Sequence, residues 1–221
     1  MQFLHHEDAG SSTLVIKEDA YKYLIKARRH KLQDQVFFRN LNNTSLYTYE
    51  IFNILKKEAV LNLIKSEEKS IEASKKLQIL WAVVDPKTIE KRLPYLNEIG
   101  VDKISFYYGS FSQKNFKLNF DKFEKILINS SGQCGRSSII KLELITSLKE
   151  FLALNPDTHA LNFSKKNISD TSISTIALGC EGGFSKEELS LFKEENIVGF
   201  SSQLILRSET AITAMASKVL L

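Results

Sequence analysis

An α/β protein with a mainly parallel sheet, preceded by a small β-rich region, is the fold class this sequence predicts. Three observations predict it. Leu77 to Val84 is a nearly continuous apolar run, as in a strand buried on both faces of a parallel sheet. From there on, apolar runs alternate with helix signals, the pattern of strands joined by crossover helices. Before residue 70 the runs are short and separated by turn residues, without helices between most of them.

The early runs are Thr13 to Ile16, Gln35 to Phe38, Ser45 to Phe52 and Ala59 to Ile64. Their β-branched and aromatic residues suit a half-buried pleated surface. Asn40-Leu41-Asn42-Asn43 supplies a turn between two of them, and Lys17 to Arg29 reads as a helix interrupting the strands. The expectation is a small β-barrel over residues 1–68, with the charged stretch Ser66 to Lys76 as linker and the α/β domain over 69–221. In that domain Asp85 and Pro86 start a helix as N-cap and first helical residue, and Gly100 ends it. Val101 to Tyr108 is the next strand, and a helix follows from Asp121 to Cys134. Thr146 or Ser147 caps another helix, and Thr158 to Phe163 and Ile173 to Leu178 are further strands.

Composition narrows the classes of function. The 221 residues are 43% hydrophobic and 25% charged, ordinary for a globular protein. No run of eighteen apolar residues suggests a membrane span, and the first residues lack a signal peptide's pattern, so a cytoplasmic protein without a membrane partner is expected. Cys134 and Cys180 form no CxxC pair, and His5, His6, His30 and His159 are scattered, so no metal site is expected. The formal net charge of +4 permits a polyanionic partner. Lys22, Lys26, Arg28, Arg29 and Lys31 form a basic run without an acidic residue; it is either a solvated face or a grip on a nucleic-acid backbone.

The strongest site candidate is Gly179-Cys180-Glu181-Gly182-Gly183-Phe184-Ser185, directly after the strand that ends at Leu178. Three glycines in five residues allow close approach of a ligand to the main chain. Ser185 and Glu188 then form a capping box. The order strand, glycine turn, helix places the turn at the carboxyl edge of a parallel sheet, where ligands of open α/β folds bind. Two features argue against a phosphate cradle: no Lys-Ser or Lys-Thr follows the glycines, and Glu181 would repel a pyrophosphate. A carboxylate suits a cationic ligand or one that offers hydroxyl and amine donors. Two further segments stand out. In Leu204-Ile205-Leu206-Arg207-Ser208-Glu209-Thr210-Ala211, an apolar run ends in an arginine and Ser208 is placed to cap the last helix. In Asn129-Ser130-Ser131-Gly132-Gln133-Cys134-Gly135-Arg136, a helix ends in a turn.

Together these segments resemble the RsmE family of SPOUT methyltransferases, which modify N3 of a uridine in 16S ribosomal RNA. The family's G-P-E-G-G-F-S stands here as Gly179 to Ser185, its E-Q-S-G-R as Gly132 to Arg136, and its R-I-L-R-T-E-T-A as Leu204 to Ala211. Its E-L-G-V is similar to Glu98-Ile99-Gly100-Val101, and Arg29 and Asp34 match recurring positions of its small domain. The resemblance runs through nearly the whole chain in order and spacing. It implies a PUA-like barrel, a SPOUT domain with a trefoil knot, a homodimer, and S-adenosylmethionine as cofactor. The cofactor would be held by Leu178, Gly179, Glu181, Gly182, Gly183, Ser201, Ser202, Leu204, Ile205 and Leu206. Several positions depart from the pattern: Cys180 replaces proline, Ser202 glycine, Gly132 glutamate, and Leu204 and Phe111 arginines.

Methylation at N3 requires the N3 proton to leave and the resulting charge to be stabilised. Arg136 and Arg207 are the candidates for holding charge or phosphate, and Glu209 for orienting or taking a proton. Lys22 to Lys31 becomes the expected grip on the small-subunit rRNA. Two rival readings are a dinucleotide oxidoreductase, disfavoured because the glycine turn comes so late in the chain, and a non-catalytic RNA-binding assembly factor. Methylation of another RNA base is a third alternative.

Overall fold

The computed structural model describes residues 2–202 and 204–221. The chain divides into two compact units, Met1–Glu72 with Ile128–Ile139, and Ala73–Leu127 with Ile140–Leu221.

The first unit is built on a five-stranded mixed sheet. Its strands are β1 (Leu4–His5), β2 (Thr13–Lys17), β3 (Gln35–Arg39), β4 (Ser45–Ile54) and β5 (Glu58–Glu68), in the order β1-β3-β4-β5-β2. Only the β1–β3 pair is parallel. In β2 the alternation is explicit, with Leu14 and Ile16 buried between exposed neighbours. Phe38, Tyr49, Ile51, Ala59 and Leu61 are fully buried beside them. The buried Tyr49 hydroxyl is satisfied, donating to Ser11 O (2.7 Å) and accepting from Gly10 N (2.9 Å). Register shifts at Thr48/Tyr49 and Ile51/Asn53 interrupt the β4–β5 ladder, and such bulges bend the strands that carry them.

Two local expectations change here. The helix read over residues 17–29 is α1 (Glu18–Tyr21) continued by a π-helical turn, Lys22–Ala27. Hydrogen bonds from Arg28 N to Tyr23 O and from His30 N to Leu24 O close this wider turn. Tyr21 and Leu24 go to the core, while Lys22, Lys26, Arg28, Arg29 and Lys31 are exposed. The stretch read as a linker begins later, because Ser66, Glu67 and Glu68 still pair with Tyr47, Leu46 and Ser45. A ladder of main-chain bonds does not need apolar side chains, so its charged end carried no sequence signal. Arg39, 1% exposed, closes the region from inside, donating to Thr44 O (2.6 Å) and Lys69 O (2.8 Å).

The second unit holds a six-stranded, wholly parallel sheet. Its strands are β6 (Gln78–Ala82), β7 (Lys103–Tyr107), β8 (Lys141–Leu144), β9 (His159–Leu161), β10 (Thr175–Leu178) and β11 (Ile197–Val198), in the order β11-β9-β10-β6-β7-β8. The chain steps outward from β6 to β8, crosses beyond β6 to form β9, and returns to fill the slot between them with β10. Ile79, Leu80 and Trp81 of β6 are fully buried, as the continuous apolar run requires. Trp81 stacks on Phe106 (centroids 6.0 Å apart), which meets Phe120 and Phe123. Burying each such ring stabilises the fold by roughly 1.5–3 kcal/mol.

The helices are α2 (Pro86–Ile99), α3 (Phe120–Cys134), α4 (Leu148–Leu154), α5 (Lys186–Leu189) and α6 (Ser208–Leu220). Asp85 caps α2 by accepting from Lys87 N, Gly100 ends it, and Ser147 caps α4. α6 packs on α2 with its small residues Ala211 and Ala216 buried. Strands β8 and β11 were not legible in the sequence. β8 lies at the sheet edge with partly exposed faces, and β11 is two residues long, so neither forms an apolar run.

Among the described residues, no helix is long and apolar enough to cross a membrane, and no group of three or more metal-ligating side chains is gathered.

Candidate active site

The carboxyl ends of β9, β10 and β11 surround a cavity of about 360 Å³. Three stretches line it: Leu161 to Ser164 after β9, Leu178 to Phe184 after β10, and Phe200, Ser202, Leu204, Ile205 and Leu206 after β11, together with Ser208 and Ala211 of α6. Of the residues named from the sequence, Leu178, Gly179, Glu181, Gly182, Gly183, Ser202, Leu204, Ile205 and Leu206 stand on its wall. Ser201 does not; its hydroxyl accepts a hydrogen bond from Asn167 Nδ2. Leu161, Asn162, Phe163 and Ser164 were not anticipated. Their only sequence signal was their place after a buried strand that neighbours the glycine turn, which is visible once β9 and β10 are known to pair.

The glycine turn is held tightly. Gly183 N donates to Cys180 O (2.9 Å), and the two residues form an isolated antiparallel bridge. The turn brings Gly179 and Gly183 into backbone contact, so a Cβ on Gly179 would lie 2.5 Å from the carbonyl carbon of Gly183. Gly183 has φ 73°, the left-handed region that glycine adopts without steric cost. Cys180 is buried and lines the cavity in the place of the resembled family's proline. The turn's main-chain bridge does not depend on a proline ring.

Supports come from three directions. Ser185 and Glu188 form the complete capping box: Ser185 Oγ accepts from Glu188 N (3.1 Å) and Glu188 Oε2 from Ser185 N (2.9 Å). The second oxygen of Glu188 accepts from Ser110 N (2.8 Å), which ties the segment after β7 to the same place. That segment sets Phe111 against Gly182. Beneath the turn, the Tyr107 hydroxyl reaches Leu178 O (3.5 Å), and burial with the nearby Glu188 charge raises its pKa well above the usual tyrosine value.

Ser208 corrects a sequence expectation. It does not cap α6, whose N-cap is Arg207 with no side-chain capping bond. Instead Ser208 Oγ accepts from Trp81 Nε1 (3.3 Å) and donates to Gly179 O (3.3 Å). The last helix is thereby tied to both the central strand and the glycine turn. Ser208→Ala would leave the buried indole N–H without this acceptor, a loss of about 1–3 kcal/mol. A lower denaturation midpoint with an unchanged m-value is the expected result.

A second cavity, of about 430 Å³, is lined by Thr88, Glu181, Ile205, Leu206, Arg207, Ser208 and Glu209. It shares Glu181, Ile205, Leu206 and Ser208 with the first. Arg207 is exposed and Glu209 half-buried, and they form no ion pair with each other or with Glu181 among the described residues.

Arg136 belongs to the first unit and is not among the described residues that line either cavity. It is 5% exposed, with Nε 3.4 Å from Glu72 Oε2 and 3.1 Å from Ser138 Oγ. Glu72 also accepts from Ser137 Oγ (2.8 Å) and Ser138 Oγ (2.9 Å). The basic run lies in the first unit too. Lys22 pairs with Asp19, and Lys26 and Arg28 lie over the rings of Tyr21 and Tyr23. Arg29 takes φ 59°, and Lys31 N donates to Asp34.

A parallel α/β sheet with a cavity around a glycine turn at its carboxyl edge defines the class, and residues 71–220 match the model of the RNA methyltransferase domain family. The chain belongs to the ribosomal RNA small subunit methyltransferase E family within that class. It is 38% identical over 222 residues to the Helicobacter pylori (strain J99) protein of that name, covering 98% of each chain. The Aquifex aeolicus protein of the same name is 20% identical, again over 98% of each. Among solved structures, the Neisseria gonorrhoeae ribosomal RNA small subunit methyltransferase E bound to S-adenosyl methionine matches with a TM-score of 0.80 at 16% identity. That match covers 98% of this chain and 95% of the other. A Legionella pneumophila protein in complex with the cofactor SAM matches at 0.77 and 21% identity, covering 98% and 95%.

Proposed function

We propose that this protein transfers a methyl group from S-adenosylmethionine to N3 of a specific uridine in 16S ribosomal RNA of the small subunit. The observation that carries the reading is the pair of adjoining cavities at the carboxyl edge of the sheet, one walled mainly by a glycine turn and apolar side chains, the other charged. The first suits the cofactor. Leu161, Leu178, Phe200 and Leu206 offer apolar walls for an adenine, the glycine turn offers main-chain groups, and Glu181 offers a carboxylate to the cationic end or the ribose hydroxyls. When bound there, the cofactor supplies an electrophilic methyl group. Membership of the family, and the curated relative at 38% identity that bears the rRNA methyltransferase name, support the substrate class.

The chain's own residues do the rest. The turn at 179–183 and Ser202, Leu204, Ile205 and Leu206 hold the cofactor. Arg207 offers fixed guanidinium donors to charge developing on the uracil carbonyl oxygens, and Glu209 orients it or accepts a proton. Arg136, whose Nε faces Glu72, is the second candidate for holding charge or phosphate. The exposed residues Lys22, Lys26, Arg28, Arg29 and Lys31 grip the RNA backbone.

The same reading makes residues 1–68 a PUA-like barrel, for which the bulged five-stranded sheet is the support. It makes 69–221 a SPOUT domain whose out-of-order sheet accommodates a trefoil knot. It also makes the protein a cytoplasmic homodimer. The test is mass spectrometry of 16S rRNA from cells with and without the gene. One methylated uridine should disappear in the deletion strain and return with the gene; unchanged methylation overturns the reading.

A further inference from the structure

The second cavity adds Thr88 and a wall shared at Glu181 to the Arg207 and Glu209 assigned above. Arg207, Glu181 and Glu209 bring three formal charges to its wall, and their side chains are not paired with one another among the described residues. Thr88, from the first turn of α2, adds a hydroxyl. Accessible groups of both signs around one opening offer a ligand both donors and acceptors. The shared wall matters more. Glu181 lines both cavities, while Arg207, Glu209 and Thr88 line only the second.

We propose that the second cavity receives the reacting uracil and that Glu181 takes its N3 proton. This assignment rests on the methyl-transfer reading above. Uracil shows a carbonyl, an N–H and a carbonyl along one edge. A guanidinium only donates and a carboxylate only accepts, so Arg207 suits a carbonyl and Glu181 suits the N–H between them. Cytosine carries no proton at N3 and is refused by the same pair. Glu181 is preferred to Glu209 because it alone of the two stands where the cavities meet, which is where a methyl group must cross.

The step balances. The N3–H bond breaks and its proton passes to a Glu181 carboxylate oxygen. The electron pair left on N3 forms the bond to the methyl carbon, and the carbon–sulfur pair stays with sulfur. Arg207 stabilises the negative charge shared with the flanking carbonyls until that bond forms, and the proton later leaves Glu181 to water.

Two variants test the assignment against unmethylated small-subunit rRNA from a strain lacking the gene. Thr88→Phe fills the second cavity without touching the first. Calorimetry should show S-adenosylmethionine affinity unchanged within about twofold, while methyl transfer falls by about 100-fold or more. Glu181→Gln keeps the shape and removes the base. With cofactor and RNA raised to saturation, so that any affinity lost with the carboxylate is removed from the comparison, the single-turnover rate should fall by about 10²–10⁴-fold. Its residual rate should rise about tenfold per pH unit from about pH 6.5 to about pH 9, because hydroxide must then remove the proton, whereas the unaltered protein stays flat over that range. Three results overturn the assignment: a flat profile for Glu181→Gln, a loss of cofactor affinity that accounts for its whole loss of rate, or full transfer by Thr88→Phe. Failure of the unaltered protein to bind the cofactor or methylate the RNA overturns the methyl-transfer reading itself, and this assignment with it.

Discussion

Gly179→Ala is expected to abolish cofactor binding. The added Cβ would lie 2.5 Å from Gly183 C, 2.7 Å from its oxygen and 2.8 Å from its Cα. These are backbone atoms, so no side-chain rotation relieves the clash, and the turn must open. Opening breaks the Gly183 N to Cys180 O bond (2.9 Å) and moves the oxygen to which Ser208 donates. Overpacking of this kind costs about 1–3 kcal/mol, a loss the sheet core should survive. Calorimetric titration with S-adenosylmethionine should show affinity reduced by at least about 100-fold, since misplacement by about 1 Å is enough to undo a site of this kind. Gly182 provides the internal control. There a Cβ would meet the Phe111 side chain at 3.0–3.1 Å, and a side chain can turn away where a backbone cannot. Gly182→Ala should therefore retain more affinity than Gly179→Ala. Equal, near-native affinity in both variants would show that the ligand does not depend on this turn.

Arg207→Ala is expected to stop transfer while leaving the fold and cofactor binding intact. The side chain is exposed, makes no capping bond to α6, and stands on the second cavity only. The main-chain bonds that start α6, from Thr210 N and Ala211 N to Arg207 O, survive the substitution. Exposed positions of this sort change stability by about 0.5 kcal/mol or less. Removing a donor aimed at developing negative charge lowers the rate by about 10²–10³-fold. Single-turnover measurements with saturating cofactor isolate that step. Arg207→Lys should recover only part of the rate, because an ammonium does not reproduce the planar fork of donors. Full activity in Arg207→Ala would show that the arginine has no part in the chemistry.

The comparison of these two residues with Arg136 shows what kind of information a sequence carries. Gly179 and Arg207 sit in segments whose local pattern already contained their surroundings: a buried strand, a turn, and the start of a helix. The burial of β6, the caps of α2 and α4 and the capping box at Ser185 were legible for the same reason. Each is decided by residues within a few positions of one another. Arg136 looked equivalent by motif. Its partner Glu72 is 64 positions away in the chain, and that pairing buries it in the other compact unit. Strands β8 and β11 escaped because edge position and shortness remove the apolar run that marks a strand, and the ladder that defines them lies in their neighbours. Ser208 escaped because the two groups that claim its hydroxyl, Trp81 and Gly179, lie 127 and 29 positions away.

By itself the amino-acid sequence determined the α/β class, the elements with strong local signals, the glycine turn as the place for a ligand and, through its motifs, the family. Periodicity, capping and turn chemistry are short-range, and a linear text records them completely. Only the tertiary structure decided which carboxyl ends converge on the first cavity, that a second charged cavity shares its wall, and that Glu181 lies on both. Those facts depend on the order β11-β9-β10-β6-β7-β8, in which neighbours in space are distant in the chain. Main-chain pairing and burial settle that order cooperatively, and no local stretch of residues encodes it.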